Sequence, residues 1–297
     1  MKLITVAGMI GVGKSSLTEL IAERYNSLAK YEDIEQPVIH EWLSKWYMNT
    51  EEERTAQRVP IFTQMAFLVS RMNSLRDCML DERQGFAVLD RSIYEDKLFA
   101  KLKYDLGEIN ESEWKLYCQL LDTMWKEVEM IPRKAPHLTI YVRASFETIM
   151  KRIWKRGREY ETTELNESMK DWYRMLWEAY DDYMFNEYKF SRVLVIEGDE
   201  YDFVEDETDR EKVMDLIHQA LIEEGVIEEK PESIVGRKVS ITAPFYFGGK
   251  YTEGTVTGYY TDGTPNGTKS LDVTVEGHPS QLRLYDGQYE FIEGESK

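Results

Sequence analysis

A glycine-rich segment near the start of the chain constrains the fold more than any other feature of the sequence. Residues 3–7 (LITVA) are a short apolar run, and the segment Gly8-Met-Ile-Gly-Val-Gly-Lys14-Ser15 follows it directly. The next residues, SSLTELIAERY, are typical of a helix. A strand, a glycine loop and a helix in this order predict a phosphate-binding loop, because the glycines let backbone N–H groups converge on phosphate oxygens at the helix N-terminus.

The spacing within this loop indicates a role for each of its members. Lys14 is expected to reach the β- and γ-phosphates, and the hydroxyl of Ser15 to ligate Mg²⁺. The sequence therefore predicts binding of a nucleoside triphosphate together with Mg²⁺. The residues expected to bind the nucleotide here are Gly8, Gly11, Gly13, Lys14, Ser15 and Ser16.

Composition excludes several classes of partner. The 297 residues include 55 Asp and Glu against 37 Lys and Arg, a formal net charge of −18, which disfavours a long nucleic acid as partner. Two cysteines and four scattered histidines are too few for a disulfide framework or a structural zinc site. No apolar run is long enough to span a bilayer, and the first residues lack the cleavage region of a signal peptide. We expect a cytoplasmic protein without a membrane partner.

The pattern of apolar and polar residues changes at about residue 222. Before it, short apolar runs alternate with amphipathic helical stretches, the βαβ pattern of a parallel sheet flanked by helices, with strands predicted at 2–7, 87–89, 138–142 and 193–196. Residues 223–232 (EEGVIEEKPE) are typical of a linker. Residues 233–297 contain short alternating segments separated by glycine, Asp-Gly and Asn-Gly turns. The predicted architecture is an α/β domain over residues 1–222 followed by a small all-β, barrel-like domain of unassigned role.

Four further segments carry a family resemblance. They are YEDIEQP at 31–37, FTQMAFLVSR at 62–71, DRSIYED at 90–96 and KRGREYE at 155–161. Together with the phosphate loop, and in this order, they resemble the deoxynucleoside kinases, in particular the bacterial deoxyadenosine/deoxyguanosine kinase branch. The resemblance covers about residues 1–222. It implies a P-loop kinase fold, a role in nucleotide salvage, ATP as phosphate donor and a homodimer formed through the kinase domain.

A kinase for a nucleoside needs a carboxylate that takes the proton of the 5′-hydroxyl as it attacks phosphorus. The resemblance assigns this role to Glu32. The distance from Glu32 to Pro37 is one residue shorter than in the nearest relatives, so Glu35 remains an alternative. Asp90 and Arg91 follow a predicted strand at the carboxyl edge, where ligands bind in open α/β sheets. Asp90 is expected to hold Mg²⁺ through water and Arg91 to bridge the base and the transferred phosphoryl group, and a plain structural ion pair is the alternative.

Recognition of the acceptor is expected from a second group of residues. Gln64 and Arg71 are seven residues apart on a predicted helix, so they project from nearly the same face. An amide and a guanidinium supply the donors and the acceptor that a base edge requires. The resemblance implies that these two residues and Asp96 read the nucleobase, and that Glu161 contacts the 3′-hydroxyl of the sugar. Tyr47 is added as a candidate for stacking or sugar contact.

A cluster of arginines predicts a closing lid. Arg152 and Arg156 are one turn apart on a helix, and Gly157 breaks the helix so that Arg158 is able to swing inward. All three arginines are expected to bind the nucleotide, because arginines from such a lid stabilise charge on the equatorial oxygens of the transferred phosphoryl group.

We therefore expect in-line transfer of the γ-phosphoryl group of ATP to the 5′-hydroxyl of a purine deoxynucleoside, with deoxyadenosine favoured. One alternative is a deoxynucleoside monophosphate kinase of the thymidylate kinase type, which would require further cations for the acceptor's phosphate. The other alternative is a nucleotide-dependent binding module whose β domain engages a partner.

Overall fold

The computed structural model describes residues 1–81, 85–128, 135–158, 167–228, 236–242, 253–261, 269–276, 281–285 and 288–292. The chain divides into two compact units, Met1–Ile227 and Glu228–Lys297. The segment interpreted as a linker, residues 223–232, lies partly outside the described residues. No helix in the described ranges combines the length and apolar character that a membrane span requires.

The first unit is built on a parallel sheet with the strand order β2-β3-β1-β4-β5. Its strands are β1 (Lys2–Gly8), β2 (Leu28–Lys30), β3 (Phe86–Asp90), β4 (Leu138–Arg143) and β5 (Arg192–Glu197). The prediction of a parallel sheet is confirmed, and the four predicted strands correspond to β1, β3, β4 and β5. Strand β2 is missing from the prediction because it has only three half-buried residues and no apolar run.

Helices flank this sheet. Within the described residues they are α1 (Lys14–Tyr25), α2 (Pro37–Met48), α3 (Glu51–Ala56), α4 (Val59–Leu80), α5 (Ile93–Asp105), α6 (Glu111–Val128), α7 (Phe146–Arg156), α8 (Glu167–Asp182), which continues into a π-helical turn (Tyr183–Glu187), and α9 (Glu207–Glu223). Strand β3 is buried throughout, and β1 is buried from Leu3 onward. Burial on both faces explains why these strands are continuous apolar runs rather than alternating ones.

The register of the sheet determines where the site forms. Val6 of β1 lies opposite Asp90 of β3, and the backbone N–H of Arg91 donates to the carbonyl of Val6 at 3.1 Å. The end of β1, where the phosphate loop begins, is therefore adjacent to the end of β3, where Asp90 and Arg91 follow.

The second unit is an antiparallel sheet with the strand order β10-β6-β7-β8-β9. The strands are β6 (Lys238–Ile241), β7 (Glu253–Thr261), β8 (Lys269–Thr274), β9 (Leu282–Tyr285) and β10 (Tyr289–Phe291). Its own small core includes Val239, Val256, Leu271 and Val273. The all-β prediction for this part of the chain is confirmed.

Candidate active site

The phosphate loop connects β1 to α1 in a conformation that requires glycine. Gly13 precedes α1 with φ of 108°, in the left-handed region that L side chains rarely adopt. A side chain at Gly8 would place its Cβ 2.5 Å from the carbonyl oxygen of Val142 on β4. Gly11 lines the cleft in front of the loop, and Ser16 lies in the first turn of α1. The loop geometry thus agrees with a cradle for phosphate.

Lys14 is buried and points back to the loop, where its Nζ donates to the carbonyl of Met9 at 2.9 Å. Burial, together with the positive charge of Arg91, lowers the pKa of Lys14 to about 7, although nearby acids such as Asp90 act in the opposite direction. A phosphate in the cradle would reverse this shift because it supplies negative charge at the ammonium.

Ser15 and Asp90 meet across the gap between α1 and β3. The Ser15 hydroxyl donates to Asp90 Oδ2, and Asp90 Oδ1 is buried without a hydrogen-bond partner among the described residues. Oxygen ligands of this kind are those that Mg²⁺ prefers. The pair therefore fits a magnesium site. The described residues contain no cluster of three or more His, Cys, Asp or Glu side chains that forms a metal site by itself, so phosphate oxygens and water would complete the coordination.

Arg91 occupies a strained backbone position at the centre of the site. Its φ is 67°, a left-handed conformation that costs a non-glycine residue about 1–2 kcal/mol. Arg91 Nε lies 3.2 Å from Glu32 Oε2, and its NH1 lies 3.6 Å from Glu95 Oε1 and donates to the hydroxyl of Tyr180. The ring of Phe99 lies 4.8 Å from the guanidinium carbon. Strain maintained by so many contacts is typical of a functional position.

Glu32 lies between two guanidinium groups. Arg71 NH2 is 2.5 Å from Glu32 Oε1, and Arg91 contacts the other carboxylate oxygen. Burial opposes ionisation of this carboxyl group, but the charges of Arg71 and Arg91 outweigh it and lower the pKa of Glu32 to about 2. Glu35, the alternative, is exposed, does not line the cleft, and has its own backbone N–H bonded to Asp33 Oδ1.

Arg71 also connects Glu32 to the predicted base-reading residues. Its NH1 donates to Asp96 Oδ1, while the other carboxylate oxygen of Asp96 accepts from the hydroxyl of Tyr117. Asp96 is fully buried, and this burial raises the pKa of its carboxyl group in spite of Arg71. Gln64 on α4 is buried, and it lines the same cleft as Arg71.

A single cleft joins these groups. It has a volume of about 930 Å³, including its solvent-filled mouth. Its phosphate side contains Lys14, Ser15, Asp90 and Arg91. Glu32 lies between these residues and the part of the cleft lined by Gln64 and Arg71, which are predicted to bind the acceptor and define what we call the acceptor side. Aromatic and apolar side chains complete the acceptor side, and these are Leu43, Trp46, Tyr47, Phe67, Phe99 and Trp172.

The three predicted lid arginines do not occupy equivalent places. Arg156 and Arg158 line the cleft, and α7 ends at Gly157 with φ of 66°, where the sequence predicts the break. Arg152 does not line it. Its guanidinium instead donates to the carbonyls of Val12 and Gly198, each at 2.8 Å, because α7 packs against the underside of the phosphate loop. Its predicted direct role in nucleotide binding is therefore not seen in this geometry. Glu161 lies outside the described residues.

Several buried partners of this site are not predicted from the sequence. Tyr117 on α6 and Tyr180 on α8 lie far from the site along the chain, and no local pattern indicates them. The spacing of Glu95 could have predicted its contact, because Glu95 on α5 follows Arg91 by four residues and the two side chains form an ion pair. Lys103, a buried lysine on the same helix, also lines the cleft.

The comparisons with known proteins decide the family. The model of the deoxynucleoside kinase family matches residues 4–223. The chain belongs to the deoxynucleoside kinase family. It is a phosphotransferase, as the sequence predicts.

Individual relatives agree with this assignment. The chain is 34% identical over 225 residues to a deoxyguanosine kinase of Lactobacillus acidophilus, a match that covers 76% of this chain and 93% of the relative. It is 33% identical over 224 residues to a deoxyadenosine kinase of the same organism, covering 75% and 98%. A solved structure of deoxyadenosine kinase from M. mycoides with bound dATP has a similar fold, with a TM-score of 0.56 and 21% identity over 73% of this chain and 99% of that one.

Proposed function

We propose that this deoxynucleoside kinase transfers the γ-phosphoryl group of ATP to the 5′-hydroxyl of a purine deoxynucleoside and thereby serves nucleotide salvage. The observation that supports this most is the position of Glu32. Its carboxylate is held by Arg71 on the acceptor side and by Arg91 next to the phosphate loop. A carboxylate in this position is able to meet a hydroxyl that attacks a phosphoryl group held by Lys14.

Glu32 acts as the base in this proposal. With a pKa of about 2 it is fully ionised at neutral pH and is a weak base. A weak base suffices because phosphoryl transfer passes through a loose transition state, in which catalysis depends mainly on positioning and on stabilisation of charge. As the proton reaches Glu32, the partial charge on the phosphoryl oxygens is balanced by Arg91 and Lys14, and by Arg156 and Arg158 of the lid.

Ser15 and Asp90 would hold Mg²⁺ at the phosphate side. The metal, when bound, neutralises charge on the phosphates and orients them. The chain's own contribution here is the hydrogen bond from the Ser15 hydroxyl to Asp90 Oδ2, which places the hydroxyl beside the carboxylate at the end of β3.

Purine selectivity is proposed from two kinds of support. Gln64 offers one donor and one acceptor, and the Arg71–Asp96 pair offers a cation with a carboxylate fixed by Tyr117. Several base edges satisfy such a set. The named relatives are a deoxyguanosine and a deoxyadenosine kinase, which favours the purines, and we retain deoxyadenosine as the preferred acceptor.

A competition assay tests this preference. The four deoxynucleosides are supplied together at equal, subsaturating concentrations with ATP and Mg²⁺, so that the product ratios give the ratios of kcat/KM. We expect dAMP in excess over dGMP, and both in excess over the pyrimidine monophosphates. Pyrimidine monophosphates as the main products would refute the purine assignment.

We also propose a homodimer formed through the kinase domain, in the cytoplasm, where ATP is available as donor. Phe62 and Val69 on α4 are seven residues apart on one face and both are exposed, as is Leu116 on α6. Large exposed apolar side chains on packed helices favour an interface. Light scattering would detect the dimer. Val69→Glu is expected to shift it toward monomer, whereas the control Val204→Glu, at an exposed valine between β5 and α9, is expected to have no effect. A monomeric wild-type protein would refute the proposal.

A further inference from the structure

The guanidinium group of Arg91 has contacts on two sides. On the cleft side its Nε lies 3.2 Å from Glu32 Oε2. On the other side its NH1 donates to the hydroxyl of Tyr180 and lies 3.6 Å from Glu95 Oε1. Glu32 lines the cleft, whereas Tyr180 on α8 and Glu95 on α5 are buried behind Arg91 and do not line it. A substrate in the cleft therefore meets Arg91 and Glu32 but neither of the two residues behind them.

The two sides behave differently during the proposed reaction. When Glu32 takes the proton of the 5′-hydroxyl it loses its negative charge, and its ion pair with Arg91 becomes a weaker, neutral contact. At the same stage charge spreads over the phosphoryl oxygens, which Arg91 is expected to stabilise. Arg91 therefore needs a contact that stays constant while its contact with Glu32 weakens. The NH1 side provides one.

The hydroxyl of Tyr180 is oriented to accept from Arg91. A guanidinium has donors only, so the Tyr180 oxygen accepts from NH1 and its own proton points elsewhere. That proton is donated to Glu95 Oε2, at an oxygen–oxygen distance of 3.4 Å. Burial raises the pKa of Tyr180 well above its usual value, so the hydroxyl keeps this proton. Glu95 thus fixes the direction in which the hydroxyl accepts.

The ring of Tyr180 is packed so that its hydroxyl has one position. It is fully buried and stacks on the ring of Tyr141 of β4, with centroids 6.2 Å apart and an interplanar angle of 11°. The ring of Phe99 on α5 meets it edge-on, at 5.9 Å and 81°. Phe99 also lies against the guanidinium of Arg91. Aromatic contacts of these two kinds are favourable, so they hold the hydroxyl at Arg91.

We propose that Tyr180 is a positioning residue for phosphoryl transfer, whose hydroxyl, oriented by Glu95, holds the guanidinium of Arg91 in place while Glu32 takes the proton. The inference rests on the proposed function, because it assumes that Glu32 and Arg91 act on a bound deoxynucleoside and ATP. Tyr180 then affects the rate of transfer without contact with either substrate.

Removal of single hydroxyl groups from α8 and its π-helical turn tests the proposal. Tyr180→Phe keeps the packed ring and removes only the hydroxyl. Tyr183→Phe is the matched control, because Tyr183 is also buried and donates its hydroxyl to α5, but to the backbone carbonyl of Tyr94 rather than toward Arg91. Glu95→Ala is a second variant, which removes the acceptor of the Tyr180 proton from a different helix.

The readout is the single-turnover rate constant for phosphorylation of deoxyadenosine. Enzyme is in excess over deoxyadenosine, ATP and Mg²⁺ are saturating, and the reaction is stopped by rapid quenching. At saturating enzyme this rate constant depends neither on product release nor on the fraction of folded enzyme. Dissociation constants for ATP and for deoxyadenosine are measured on the same preparations.

Loss of a hydrogen bond to a charged group predicts that the rate constant falls about tenfold in Tyr180→Phe. A fall is also expected in Glu95→Ala, and the wild-type rate constant in Tyr183→Phe. Both dissociation constants are expected to stay unchanged in Tyr180→Phe, because the residue does not line the cleft.

The proposal is overturned if Tyr180→Phe or Glu95→Ala reacts at the wild-type rate. It is equally overturned if Tyr183→Phe slows transfer as much as Tyr180→Phe, as a purely structural role of these hydroxyls would, or if Tyr180→Phe weakens binding and leaves the rate constant unchanged. Failure of the proposed function is seen separately, as a wild-type enzyme that phosphorylates no deoxynucleoside.

Discussion

Replacement of Glu32 by Gln separates the catalytic from the structural role of this carboxylate. In the folded protein the pKa of Glu32 is lowered from 4.5 to about 2 by Arg71 and Arg91, against the effect of burial. At 1.36 kcal/mol per pKa unit, this shift corresponds to about 3 kcal/mol of stabilisation by the ionised group. Because the pKa is lowered on folding, this stabilisation is fully present above pH 4.5 and is lost as the pH falls toward 2.

Glu32→Gln is therefore expected to lower the melting temperature at pH 7 by about 6–12 °C. Loss of the base is expected to lower kcat by about 10²–10⁴-fold, while KM for ATP changes little because Glu32 lies on the acceptor side of the phosphate loop. Differential scanning fluorimetry and a coupled ADP-release assay, performed well below the melting temperature of the variant, measure the two effects independently.

Glu35→Gln is the matched control. Glu35 is exposed and lies three residues away on the same loop, so its replacement is expected to change neither the melting temperature nor kcat. A Glu32→Gln enzyme that melts earlier but retains kcat within about threefold would refute the assignment of the base. A large loss of kcat in Glu35→Gln would transfer that role to Glu35.

Three other predictions concern the phosphate side and the second unit. Burial lowers the pKa of Lys14 to about 7, and a bound triphosphate favours the ammonium, so ATP binding at pH 8 is expected to take up nearly one proton. Calorimetry in HEPES and Tris buffers measures this uptake, and equal heats in the two buffers would contradict it. Arg152→Met leaves the carbonyls of Val12 and Gly198 without their donor. We therefore expect the melting temperature to fall and KM for ATP to rise, with KM for the deoxynucleoside unchanged. An unchanged KM for ATP would mean that the hydrogen bonds of Arg152 do not shape the phosphate loop. Removal of residues 228–297 is expected to leave kcat and both KM values unchanged, because the kinase unit has its own core and the family model ends at residue 223; lost activity in a folded truncated protein would assign the β unit a part in catalysis.

The features that sequence predicts well here are those determined by short segments. The phosphate loop requires glycines and a lysine at fixed spacing between a strand and a helix. The roles of Lys14 and Ser15 are therefore predicted from a segment of about ten residues. The buried strands β1, β3, β4 and β5 are apolar runs. Strand β2 is determined instead by its pairing with β3, which a three-residue segment does not reveal.

The ion-pair network depends on tertiary structure and is much harder to read. Glu32 follows β2, Arg71 lies on α4 and Arg91 follows β3, and only family resemblance brings the three together in advance. Arg152 and Arg156 are four residues apart, a spacing that predicts one shared helix face. The guanidinium of Arg152 instead donates to the backbone carbonyls of Val12 and Gly198. Lys103 has the sequence pattern of an ordinary helix-surface lysine, and its burial results from Trp46 and Trp172 on two other helices.

Identification of the phosphorylated product distinguishes a kinase for deoxynucleosides from a kinase for their monophosphates. The enzyme is incubated with ATP and Mg²⁺ and either deoxyadenosine or dAMP, and the products are separated and identified by mass spectrometry. We expect dAMP from deoxyadenosine, with the phosphate on the 5′-oxygen, and no dADP from dAMP. Formation of dADP from dAMP without any phosphorylation of deoxyadenosine would contradict this expectation.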